Sequence, residues 1–185
     1  MTQEATRQAR LAAQIAAKQT QISTGKRLQR ASDDPTAAAR IADLSRMQIN
    51  DNARARNISL GISMTAQADA QLRNMSHLLA RTRELTISAA SVGLTPSDRT
   101  TMSLEIGAMA DEIDAMASVQ SATGEALFAN NAANQIRFDD TIAFAPVPAR
   151  QDIFETGGIA ITQIMRDAAS AIAAGDLPLI GAALT

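Results

Sequence analysis

The chain has 185 residues, enough for one domain, and 46% of them are hydrophobic, yet aromatics make up only 2%: four Phe with no Tyr and no Trp. Compact sandwiches and doubly wound sheets draw much of their buried area from rings, whereas this chain offers Ala, Ile, Leu and Met, which pack helix on helix. Net charge is −2 and cysteine is absent, which excludes a disulfide framework, a thiol nucleophile and a thiolate metal site.

The charges are segregated. Residues 1–40 hold seven basic against three acidic residues, and residues 95–185 hold four basic against twelve acidic. A basic end and an acidic end suit packing of subunit on subunit. Nucleic acid is disfavoured as a partner, because no aromatics interleave with the basic residues and no reader motif is present. No apolar run follows the N-terminal charges, so a cleaved secretory signal is not expected, and no stretch of about 18 apolar residues predicts a membrane span.

Residues 3 to about 30 read as a helix, with Gly25 near its end. Asp33-Asp34-Pro35 breaks it and starts another: Asp34 offers an acceptor to free amides, and the proline ring fits the first helical position. From Pro35 to about Ser91 Gly61 is the only glycine and no further proline occurs. That permits roughly 57 residues of helix, about 85 Å. Ile58, Ile62, Thr65, Leu72, Met75 and Leu79 step by threes, fours and a seven, which predicts a core seam. Around Asn50-Asp51-Asn52 the pattern thins, so that stretch is expected to face water or a polar neighbour.

Val92-Gly93 ends this rod, and Thr95-Pro96-Ser97-Asp98 carries the signature of a capped restart. In the next helix Met102, Ile106, Met109, Ile113 and Met116 alternate by four and three, a core stripe that predicts an antiparallel hairpin with the rod. Beyond Thr123-Gly124 the residues 135–139 and 141–144 alternate apolar and polar across a short Asp-containing turn, a β-hairpin closed by Pro146 and Pro148. Ile161, Ile164, Ala168 and Ile172 mark a last helix, closed by Gly175-Asp176-Leu177-Pro178.

Chemistry is sparse along this path. His77 is the only histidine and has no partner for a triad or a metal site, so it reads as a helix-surface residue. Asp111, Glu112 and Asp114 are expected on a solvated face, since successive helical residues point apart and should not converge on one cation. Asp33 and Asp34 are a paired-carboxylate candidate that capping already explains in part. No phosphate-cradling glycine loop, nucleophile elbow or His-Glu-x-x-His occurs, so no enzyme, cofactor or metal centre is predicted.

The stretch Ile22-Ser-Thr-Gly-Lys-Arg-Leu-Gln-Arg-Ala-Ser-Asp-Asp-Pro-Thr-Ala-Ala-Ala-Arg40 resembles the N-terminal signature of the flagellin superfamily. Arg81-Thr-Arg-Glu-Leu85 with Ser88-Ala-Ala90 resembles that family's motif late in the rod helix, and Ile113-Asp114 resembles the end of its second helix. The resemblance runs over about residues 10–130. Filament flagellins usually carry Asp-Asp-Ala-Ala-Gly at the turn and Phe-Asn-Gly after the second helix. Here Asp33-Asp34-Pro35 and Gly124-Glu-Ala-Leu-Phe-Ala129 look more like the hook-associated protein 3 family of hook–filament junction subunits, as does Ala174–Leu184.

The resemblance implies a mainly α fold: an elongated rod of long antiparallel helices with a small β-hairpin element. Its expected segments are an N-terminal helix (1–30), a helical hairpin rod (31–130), a variable β segment (131–158) and a C-terminal helix (159–185). The family's final long helix is not seen, and the expectation is a piece trimmed at both ends. The implied partners are copies of the chain, a neighbouring hook-associated protein and flagellin, and an export apparatus with its chaperone. The implied location is the extracellular flagellum, reached without a cleaved signal. Arg81, Arg83 and Glu84 are the expected charged contacts with neighbours. A filament flagellin and, more remotely, a cytosolic helical adaptor are the alternatives.

Overall fold

The structure, a computed structural model, describes residues 2–26, 30–91, 93–139 and 141–182. Arg27, Leu28 and Gln29 of the signature, Val92 at the rod's end, Asp140 in the hairpin turn and residues 183–185 lie outside the described residues. The chain is mainly α and divides into two compact units, residues 1–53 and 54–185, each described by itself.

The first unit holds α1 (Thr2–Thr24) and the start of α2 (Pro35–Ala89). The two are separated by a turn in which Arg30 and Asp33 bond reciprocally. The Asp33 N–H donates to the Arg30 carbonyl at 3.0 Å and the Arg30 N–H to the Asp33 carboxylate at 2.9 Å. Asp34 then accepts the Ala37 N–H at 3.0 Å, and Pro35 occupies the first helical position, where no N–H is needed. Among the described residues of this unit none is buried; Leu11, Ile15, Ile41, Leu44, Met47 and Ile49 are all at least half exposed.

The second unit contains the whole buried core, built from the rest of α2, α3 (Pro96–Ala117) and α5 (Ile161–Ala174). α3 starts with a full capping box: Thr95 accepts the Asp98 N–H at 3.2 Å while Asp98 accepts the Thr95 N–H at 3.0 Å. α2 and α3 run antiparallel. Arg81 Nε bonds Glu105 at 2.9 Å, the Thr82 hydroxyl points at the Met109 sulfur at 3.9 Å, and Gln67 reaches the Gln120 carbonyl at 3.0 Å. In α3 the stripe Ile106, Met109, Ile113 and Met116 is buried and Met102 is half-buried against the core.

The α2 seam needs correction. Leu72 and Leu79 are half-buried and Met75 is buried, but Ile58 is 41% and Ile62 is 65% exposed. The buried face is instead Gly61, Met64, Ala68, Met75, Thr82, Leu85, Thr86 and Ala89. At about 100° per residue, Ile62 lies about 100° around the helix from Gly61, so the two cannot share the inner face. Bulk missing from Gly61 comes from elsewhere: a Cβ there would sit 2.8 Å from the Phe144 ring, so the glycine is a notch that admits Phe144.

Phe144 belongs to the first of two small hairpins. β1 (Ile136–Arg137) pairs antiparallel with β2 (Ala143–Phe144). The Asp139 carboxylate closes their turn, accepting the N–H groups of Thr141 and Ile142, each at 2.8 Å. A second hairpin is absent from the sequence expectation: α4 (Arg150–Phe154), then β3 (Glu155–Thr156) and β4 (Ile159–Ala160). Gly157 and Gly158 both have positive φ, 59° and 80°, the left-handed pair that a two-residue turn of this kind requires. Leu127 and Phe128 are almost fully buried after α3, and Phe128 meets Phe154 edge-on at 5.0 Å, tying the loop after α3 to α4.

α5 is the helix that approaches α3 most closely. Small residues make this possible: Ala110 and Ala117 on α3 and Ala168, Ala169 and Ala171 on α5 are buried, with Ile172 fully enclosed. α5 ends at Gly175, φ 72°, whose N–H bonds the Ile172 carbonyl while that of Asp176 bonds Ala171, each at 3.0 Å. A further helix, α6 (Leu177–Ala182), follows where only a chain stop was expected; Asp176 accepts the Leu179 N–H at 3.2 Å.

Candidate functional site

The charged triplet of late α2 is only partly free. Arg81 links to Glu105 of α3 through Nε and to Glu84 through Nη1 at 3.5 Å. The Glu105 hydrogen bond is the main cause holding the Arg81 guanidinium above its ordinary value. Arg83, by contrast, is exposed and makes no ion pair among the described residues. It stands on the rim of a cleft of about 210 Å³ between α2 and α5, floored by Leu79, Thr86, Ile161, Ile164, Met165 and Ala168. Arg81 thus fastens α2 to α3 while Arg83 offers its charge to solvent beside an apolar cleft.

The acidic cluster on α3 also needs correction. Asp111 and Asp114, three residues apart, share a helix face and do converge on one cation. Arg166 Nη2 of α5 lies 2.8 Å from Asp111 Oδ1 and 2.6 Å from Asp114 Oδ2. The Thr162 hydroxyl donates to the other Asp114 oxygen at 3.0 Å. Burial alone would push the Asp114 carboxyl up, but the bonds from Arg166 and Thr162 outweigh it and hold it below the ordinary value. Asp111 and Glu112 are both exposed, as expected of a solvated face, and only Asp114 is half-buried. The sequence signal for this contact lies 52 and 55 residues away, at Arg166, where no local pattern points back to α3.

Asp33 and Asp34 turn both carboxylates onto backbone amides. His77 is exposed on α2. Among the described residues no three His, Cys, Asp or Glu side chains gather as a metal site, and no helix is long and apolar enough to cross a membrane. Two surface features of the second unit are candidates for binding. One is the cleft beside Arg83. The other is a shallow patch of about 540 Å³ formed by Ile58, Ile62, Ala66, Phe144 and Pro146 next to Asp69. Both are apolar surfaces with a charge at the edge, suited to another protein chain.

Comparison with known proteins places this arrangement. Residues 1–133 match the family described as the bacterial flagellin N-terminal helical region. A flagellar filament 30.7 kDa core protein of Treponema maltophilum is 34% identical over 98 residues, covering 52% of this chain and 34% of that protein. A flagellin of Listeria innocua is 31% identical over 124 residues, covering 64% of this chain and 42% of that protein. The chain therefore spans less than half the length of these curated relatives. A solved structure described as a flagellar hook-associated protein of Vibrio parahaemolyticus has the same fold, with a TM-score of 0.65 and 21% identity over 84% of this chain and 80% of that one.

Proposed function

Since this chain belongs to the flagellin family, we propose that it serves as a structural subunit of the bacterial flagellum, at the junction between hook and filament. The observation that carries the junction reading is the chain's departure from the filament pattern at two ordered turns. Asp33-Asp34-Pro35 starts α2 with the proline at its first position, and Gly124–Ala129 follows α3, with Leu127 and Phe128 sealed into the core. The proposed partners are copies of the chain, a neighbouring hook-associated protein and flagellin. The proposed route is the flagellar export apparatus with its chaperone.

Lateral contact suits the surface chemistry. Arg83 is the best-placed of the three charged candidates, because Arg81 already pairs with both Glu84 and Glu105. Interfaces of this kind are individually modest and gain strength by repetition. Filament flagellin is the second reading, favoured by the filament proteins among the relatives at 31–34% identity. Deleting the full-length gene distinguishes the two. Cells that build hooks but hold no filament support the junction reading, and a loss of filament protein itself overturns it. Arg83→Glu in the full-length protein should lower incorporation into flagella without changing the fold; normal incorporation removes Arg83 from the interface.

A further inference from the structure

α5 is closed at its C-terminal end by the Gly175 turn but supplies no side-chain cap at its start and no dipole-matching charge at either end. Its N-cap is Ala160, which makes no side-chain hydrogen bond; its first turn has no acid and its last turn no base. A helix with unmet end groups is unfavourable, and charges opposite to its dipole at each end stabilise it. Both charges are present in space, and both come from α3. Near the start of α5, Asp114 accepts from the Thr162 hydroxyl and pairs with Arg166, with Asp111 on the same guanidinium. At the other end Arg99, in the first turn of α3, lays its guanidinium against Gly175, its Nε 3.2 Å from where a Cβ would stand. Arg99 Nη1 donates to the Leu94 carbonyl at 3.0 Å, which fixes the side chain there, while its Nε is buried without a hydrogen-bond partner. The acid thus sits at the positive end of α5 and the base at the negative end.

We propose that α3 acts as an electrostatic template for α5: the Asp114 and Arg99 ends set the antiparallel direction and register of α5, and make it a conditional helix that detaches from α3 before α2 and α3 separate. The apolar part of the interface sets alanines of both helices among Ile106, Ile113, Met165 and Ile172. The end charges add a direction to that packing. Other charged groups near these ends include Arg150, whose charge acts on Asp114, Asp98, which feels Arg99, and Asp176, directly after Gly175, whose carboxylate accepts the Leu179 N–H. This inference rests on the geometry of the second unit and is independent of the junction reading.

The test is hydrogen exchange, followed by mass spectrometry, on the full chain. Asp114→Asn and Arg99→Met should each lower protection of residues 161–174 about tenfold or more, with a much smaller change in residues 64–89. Glu112→Gln, on the outer face, should change neither. Equal loss across α2, α3 and α5, or no loss in α5, overturns the proposal. Should a variant fail to fold, the unaltered protein decides the question through salt. Raising salt from about 0.05 M to about 1 M shortens the screening length from more than 10 Å to about 3 Å. α5 protection should then fall selectively; protection unchanged by salt overturns the template.

Discussion

Replacing Ile106 by Ala tests the placement of the core more sharply than any surface change, with Ile62→Ala as its partner experiment. Ile106 is completely enclosed on the inner face of α3. Truncation removes three carbons, about 2.4 kcal/mol at about 0.8 kcal/mol per buried methylene. The unfilled space brings the expected cost to about 3–4 kcal/mol. Ile62 is 65% exposed, so only about a third of that transfer applies, about 0.8 kcal/mol, and alanine's better helix propensity returns about half of it. The expected net effect at position 62 is below about 0.5 kcal/mol. Urea unfolding followed by far-ultraviolet circular dichroism measures both, since the chain has no Trp or Tyr to report by fluorescence. Similar losses from the two substitutions would refute the assignment of the inner face of α2 to Gly61, Met64 and Ala68.

Helix starts give a second set of expectations. Thr95→Ala removes half of the α3 capping box and should cost about 1 kcal/mol, read from the same urea curves. Asp34→Ala should fray the first turn of α2, raising exchange at Ala37 and Ala38, while Pro35→Ala should leave them unchanged because the ring only pre-sets the backbone. Acid unfolding has a definite sign. Asp98 is held below its ordinary value chiefly by the Thr95 hydroxyl, Asp139 chiefly by the Thr141 N–H, and Asp114 by Arg166 and Thr162 against its burial. Their contribution is complete above the unfolded carboxylate value of about 3.9 and is lost as pH falls through each lower folded value. Stability should therefore drop below about pH 4, and Asp114→Asn should flatten that drop; an unchanged slope would refute the sign.

Local signals in the sequence are legible where a single residue performs a single backbone task. Asp34-Pro35 and Thr95-Pro96-Ser97-Asp98 each satisfy their own amides, so the starts of α2 and α3 are legible without tertiary knowledge. The α3 stripe was also legible, because Ile106, Met109, Ile113 and Met116 have no rival face. α2 offers two faces, and hydropathy prefers the one with Ile58 and Ile62. The inner face is carried by Gly61, Met64 and Ala68, small or flexible residues whose value depends on Phe144 arriving from 83 positions away. The α3–α5 contact escaped for the same reason: alanine stripes give little amphipathic contrast, and Arg166 meets Asp111 and Asp114 only after the chain has folded back. Gly157-Gly158 and Asp176-Leu177-Pro178 did carry local signals for the second hairpin and for α6, but the strands are two residues long and the helix six.

The thioethers of the chain differ in what an oxidant can reach. Met64, Met75, Met109, Met116 and Met165 are all buried, whereas Met47 is 61% exposed. Conversion of Met47 to its sulfoxide adds a polar group to a side chain already in water and leaves the fold alone. The same conversion at Met109 would place a strong dipole on the face it shares with Ile106 and Ile113, beside a Thr82 hydroxyl that already donates to the Leu78 carbonyl. Peroxide can reach that sulfur only when α3 parts from its neighbours. Sulfoxide accumulating at Met109 long after Met47 has reacted therefore reports openings of the core, at most one per molecule.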